Sequence, residues 1–130
     1  MNISFEFHDS HVRAVEHLPG AIRMSFSSAY LHHSVGRPGV DAGSGHVQPV
    51  EIVFGDAQCP GSLASYIGTL SVGEVIIDED SYSLLPVPFQ ASGMVAAEFV
   101  FCNGEILTLT AKSISCTAHG PSRFVEKFDA

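Results

Sequence analysis

Short runs of alternating apolar and polar residues recur along the chain, and no stripe of helical period interrupts them. Alternation with a period of two puts one face of a β-strand in a core and the other in water. Ile3, Phe5 and Phe7 alternate with Ser4, Glu6 and His8, which predicts a first strand over residues 3–8. Asp9-Ser10 predicts a turn, because an aspartate can bond its own backbone two residues on. Residues 11–18 predict a second strand, and Leu18-Pro19-Gly20-Ala21 a tight turn. Ile22, Met24, Phe26, Ser28 and Tyr30 then share one face of a long strand that runs to His33.

Residues 34–46 hold four glycines and a proline, which predicts a mobile loop. Val47–Phe54 predicts the next strand, with Val50, Ile52 and Phe54 on one face. A break follows at 56–61, then one short helical turn at Leu63–Tyr66. Residues 66–77 predict a strand, or two strands kinked at Gly73, closed by the acidic turn Asp78-Glu79-Asp80-Ser81. Pro86 and Pro88 confine residues 84–88 to an edge, since proline cannot donate to a central ladder. Val95, Ala97, Phe99 and Phe101 alternate up to Asn103-Gly104, and a second alternating run follows from Glu105. Asn-Gly between two such runs predicts a two-residue hairpin turn. In that register Cys102 faces Glu105 and Cys116 faces Ala91. After a turn at His119-Gly120-Pro121, Phe124, Glu126 and Phe128 alternate in a final strand. Eight or nine strands at this spacing imply an all-β fold over residues 1–130, an antiparallel two-sheet sandwich or a flattened barrel.

Composition agrees with a core-forming chain: 45% of residues are hydrophobic and 15% charged. No apolar run reaches the ~18 residues of a membrane helix. The first residues lack the basic and apolar regions of a signal peptide, so a cytoplasmic location without membrane partners is expected. The three cysteines, Cys59, Cys102 and Cys116, lack disulfide or zinc spacing and are expected as reduced thiols.

Charge alters the picture more. Residues 39–111 contain no Lys or Arg and nine acids, while residues 1–38 are neutral and 112–130 carry a net charge of plus one. The whole deficit of eight comes from the middle of the chain. Such a surface repels phosphate backbones, which disfavours nucleic acid and favours a basic protein partner. Asp78, Glu79 and Asp80 are the candidate contacts for that partner. The spacing of these acids lacks the glycine and glutamate of a helical calcium loop.

Other chemistry is sparse. His8, Asp9 and His11 are candidate ligands for zinc or manganese, since imidazole and carboxylate suit both. Residues three apart on a strand point to opposite faces, so this set needs a turn to converge. His32-His33 lie before the glycine-rich loop and His46 beyond it, so His46 can meet one of them. No G-x-S-x-G, phosphate loop or H-E-x-x-H occurs, and no cofactor is implied. The chain therefore points to binding rather than catalysis.

The opening Phe5-Glu6-Phe7-His8-Asp9-Ser10, with its short apolar run and Pro-Gly turn, resembles small uncharacterised bacterial β proteins, some of them tied to toxin–immunity systems. The closing Gly120–Phe128 is similar to their G-x-x-x-[FY]-[IV]-E-x-[FY] ending. The resemblance implies a compact β fold and an immunity-like, protein-binding role. It carries no catalytic residue. The expected function is thus a non-enzymatic protein-binding module, with a basic partner or a second copy. A metal- or small-ligand-binding domain using His8, Asp9 and His11 is the alternative.

Overall fold

The alternating runs form nine strands, joined by antiparallel pairings throughout, in a computed structural model that describes residues 1–129. They are β1 (Asn2–Leu18), β2 (Ala21–Ser34), β3 (Gly43–Gly55), β4 (Gly68–Ile77), β5 (Asp80–Tyr82), β6 (Leu84–Pro86), β7 (Phe89–Phe101), β8 (Ile106–Ala118) and β9 (Arg123–Phe128). Neighbours run β1-β2-β3-β8-β7-β4, and β4 returns to β1 through Thr69–His11 and Gly68–Val12. That short pairing closes six strands into a barrel, so the fold is a barrel rather than two separate sheets. The other three strands lie outside the ring. β5 extends β4, β6 flanks the first half of β1, and β9 lies on β3 in line with β8.

Small barrels fill their interior with side chains. Here Phe5, Phe7, Phe26, Phe54, Phe99 and Phe101 occupy it, each at most 2% exposed. Their rings meet edge to face, with centroids 4.8 Å apart for Phe5–Phe26 and 5.4 Å for Phe7–Phe99. Gly73 is the small partner in this packing. A Cβ there would stand 2.8 Å from both Phe7 Cβ and Phe99 Cδ1. The glycine marks a close approach inside β4, not a kink between two strands.

Several sequence expectations change at bulges. Asp9-Ser10 is not a turn: β1 runs straight through it, with a register shift between Glu6 and His11 and Asp9 at φ 65°. A second shift between Phe26 and Ala29 turns β2 over, so Ala29 and Leu31 enter the core and Tyr30 faces outward. The loop after β2 spans only 35–42, since Gly43–His46 already belong to β3. Leu63–Tyr66 is a turn closed by Tyr66 N–H to the Leu63 carbonyl at 3.3 Å, not a helix.

The hairpin at Asn103-Gly104 exists but has a three-residue loop. Val100 pairs with Ile106, Phe101 N–H donates to the Glu105 carbonyl, and only Gly104 has positive φ. The alternation itself requires this. A two-residue loop would set inward Phe99 opposite outward Thr108, mixing the faces of the two strands. With the true register Cys116 pairs with Phe89, not Ala91. All three cysteines are free, and burial pushes the Cys116 thiol up to about 12.

Candidate functional site

Register decides what the outer face of β4, β7 and β8 presents. Val72, Val100 and Ile106 stand side by side across the three strands. The next outward row is Glu74, Glu98 and Thr108, and the one after it Ile76, Ala96 and Thr110. A row holding two carboxylates is thus flanked by two mainly apolar rows, in which Val72 and Ile106 are more than half exposed.

The segment after β3 supplies a wall. Gln58 exchanges backbone hydrogen bonds with Thr110 at 2.8 and 3.1 Å, on the stretch of β8 that β3 does not reach. This places Gln58, Cys59 and Pro60 beside the carboxylate row. The result is a groove of about 670 Å³ lined by Glu74, Glu98, Ile76, Ala96 and these three residues.

Glu74 and Glu98 are direct cross-strand neighbours, and like charges so placed repel. Ser81 Oγ donates to Glu74 at 2.8 Å, yet among the described residues no cation pairs with either carboxylate. Replacing Glu98 by glutamine is therefore expected to raise the unfolding free energy by about 0.5 kcal/mol, measured in urea. A loss of stability would show that the carboxylate is satisfied where it stands.

Asp78, Glu79 and Asp80 lie at the β4–β5 hairpin, beyond the end of the groove. Asp78 helps to hold the backbone there, since at φ 55° it accepts the Met94 N–H at 3.0 Å. Glu79 and Asp80 are exposed.

The structure does not assemble His8, Asp9 and His11 into a ligand set. His8 Nδ1 is 3.4 Å from Asp9 Oδ2, with both side chains mostly exposed, while the His11 ring meets Thr69 Oγ1 at 3.3 Å. Among the described residues no three His, Cys, Asp or Glu side chains are grouped to hold a metal.

A second polar assembly surrounds the lower half of β3. His33 and His46 stack with ring centroids 3.9 Å apart, the meeting across the glycine-rich loop that the sequence allows. His46 is held by Ser44 Oγ at 2.8 Å and Ser122 Oγ at 3.2 Å. On the opposite face Tyr30 donates to Glu126 across Gly45, where a Cβ would strike the phenol. Burial, and then Glu126, raise the Tyr30 pKa. His32 lies between Glu6, at 3.4 Å, and the Phe128 ring, at 5.3 Å.

Sequence patterning shows Glu98 as an outward residue but does not place Glu74 beside it, because that depends on pairing across distant segments. No protein-family model, curated protein or solved structure matches the chain.

Proposed function

We propose that this chain is a non-enzymatic binding module whose acid-lined groove takes a basic segment of a partner protein. One observation carries the reading: Glu74 and Glu98 face each other at the groove with no cation beside them among the described residues, between two mainly apolar rows. A lysine or arginine suits such a place twice over. Its head neutralises the carboxylates, and its aliphatic stem covers Ile76 and Ala96. On an extended partner the side chains that face the three rows are two residues apart, so a lysine with apolar residues at i−2 and i+2 matches them. An acidic chain of this kind is also suited to neutralising a basic toxin, as the resemblance to immunity-like proteins implies.

The test uses a fluorescein-labelled Leu-Lys-Lys-Lys-Leu peptide, which in extended form turns Leu, Lys and Leu to one face, and fluorescence anisotropy. The parent chain is expected to bind it, with affinity falling as salt rises. The E74Q/E98Q double variant is expected to bind about tenfold more weakly, at ~0.7 kcal/mol per carboxylate. Equal binding by parent and double variant overturns the reading. A doubly conservative control at Asp80 and Glu79 separates the groove from the hairpin tip and is expected to change little.

A further inference from the structure

The edge of β3 from Gly43 to Val47 is covered by β9 and, among the described residues, by nothing else. Five register pairs join them, from Gly43–Phe128 to Val47–Arg123. β9 itself buries little: Arg123 through Lys127 are all exposed, Phe124 by 59% and Val125 by 42%. It joins β8 through His119–Ser122, a bulge along the same edge that holds Gly120 at φ 63° and Pro121. His119 N–H to the Pro49 carbonyl and Gln48 Nε2 to the Gly120 carbonyl, both 2.8 Å, fix the backbone of that link, while the His119 ring meets Glu51 at 3.4 Å and Ser122 Oγ meets His46 at 3.2 Å. A strand with little buried apolar area belongs to the least stable part of a fold.

What holds β9 down is unusual. On one face Phe124 packs edge-on against His46, with centroids 5.6 Å apart, and Ser122 bonds the same ring. His46 in turn stacks on His33, whose Nε2 is buried and makes no hydrogen bond among the described residues. Ile3 of β1 stands opposite His33 in the sheet, and neither imidazole has a carboxylate partner among the described residues. On the other face, Glu126 meets Tyr30 and Phe128 meets His32 beside Glu6. Arg123 and Lys127 point to solvent.

We propose that the 43–47 edge of β3 is an interaction surface for a second copy of this chain, whose β9 replaces the resident one in an acid-promoted strand exchange. The resident ladder shows directly which segment fits the edge: the partner's β9 makes the same pairs and the same contacts to His46, Tyr30 and His32. Exchange of an identical element is a low-cost route to a dimer. This surface is separate from the groove across β4, β7 and β8.

The imidazole pair sets the direction of the pH effect. Burial, and then His46, hold His33 below its ordinary value. Once β9 leaves, water reaches His33 and lifts the burial that holds it down, so its value rises toward the ordinary ~6.5. The open state then binds more protons below that pH. Seating of β9 is therefore strongest above ~6.5 and weakens as pH falls through it.

The V47C/R123C variant, with Cys59 and Cys102 replaced by serine so that no other accessible thiol can cross-link, tests the exchange, since these positions are ladder partners. Concentrated protein is held at about pH 5.5 or about pH 7.5, on either side of the imidazole range, for a time short of equilibrium, because acid raises the population of the open state and so the rate of exchange. Both samples are then brought to pH ~8, where the thiols ionise, and oxidised with glutathione disulfide. On a non-reducing gel the acid sample is expected to show about fivefold more covalent dimer than the neutral one. Light scattering on the unsubstituted chain under the same conditions is expected to show the matching dimer, which guards against a variant that misfolds. H46F keeps a ring against Phe124 and removes the smaller of the two causes that hold His33 down, so its excess of dimer in acid should be smaller than in the parent. Only intramolecular disulfide at both pH values, together with a monomeric unsubstituted chain, overturns the proposal. An acid excess as large in H46F as in the parent overturns the role of the imidazole pair.

Discussion

Replacing Phe99 by alanine is expected to lower the unfolding free energy by ~3–5 kcal/mol, the range for truncating a buried aromatic. Phe99 is completely buried on β7 and touches Phe7 of β1 and Phe54 of β3, with centroids 5.4 and 6.4 Å away. It thereby ties together strands from different parts of the ring, and its loss opens a hole that strand pairing keeps from collapsing. Domains of ordinary stability hold ~5–15 kcal/mol, so F99A removes a large share. In urea the midpoint should fall by about 2 M for a slope of ~2 kcal/mol per M.

Gly73 provides an internal check on that expectation. G73A alone should cost ~1–3 kcal/mol, because the new Cβ meets Phe7 and Phe99 at 2.8 Å. In the F99A background half of that conflict is gone, so the two losses should sum to less than their separate values. Strict additivity would mean that Phe99 and Gly73 do not share one packing site. A loss below ~1 kcal/mol for F99A would place Phe99 at the margin of the core rather than its centre.

The places where sequence and structure part company have a common cause. Alternation located the strands, since a period of two survives any tertiary arrangement that buries one face. It does not record single-residue insertions. Asp9 and the pair Ser27-Ser28 each shift a strand by a bulge, and both look in the sequence like a turn or a polar stretch. The choice between sandwich and barrel was equally hidden, because closure rests on two residue pairs between β1 and β4 in segments without distinctive pattern. The hairpin loop length, by contrast, was open to inference: inward residues 97, 99 and 101 on one arm and 107, 109 and 111 on the other permit only an odd loop. The acidic centre was legible as composition. Its focus at Glu74 and Glu98 was not, because register between distant strands made them neighbours. The closing alternation gains a physical meaning, as Phe124, Glu126 and Phe128 are the contacts that hold β9 on β3.

Replacing Ser10 by alanine should cost about 2 kcal/mol, although serine to alanine removes a single atom. Ser10 is completely buried. Its hydroxyl donates to the Glu6 carbonyl at 2.7 Å and accepts the Tyr30 N–H at 2.9 Å, spanning the bulge on one side and β2 on the other. Those backbone groups lose their ladder partners where the register shifts, and an unmet buried polar group carries its full desolvation penalty. Roles within the opening Phe5–Ser10 segment are thus divided. Phe5 and Phe7 fill the core, Asp9 takes the positive φ of the bulge and Ser10 satisfies the backbone it leaves open. His8 is exposed, so H8A should lie within about 0.5 kcal/mol of the parent. Urea melts of S10A and H8A compare the two directly, and hydrogen exchange at the Tyr30 amide reports the lost bond itself. If S10A melts with the parent and the Tyr30 amide stays protected, the bulge is held by something other than this hydroxyl. If H8A is the damaging change instead, the segment acts through its imidazole, and a ligand at His8 returns to consideration.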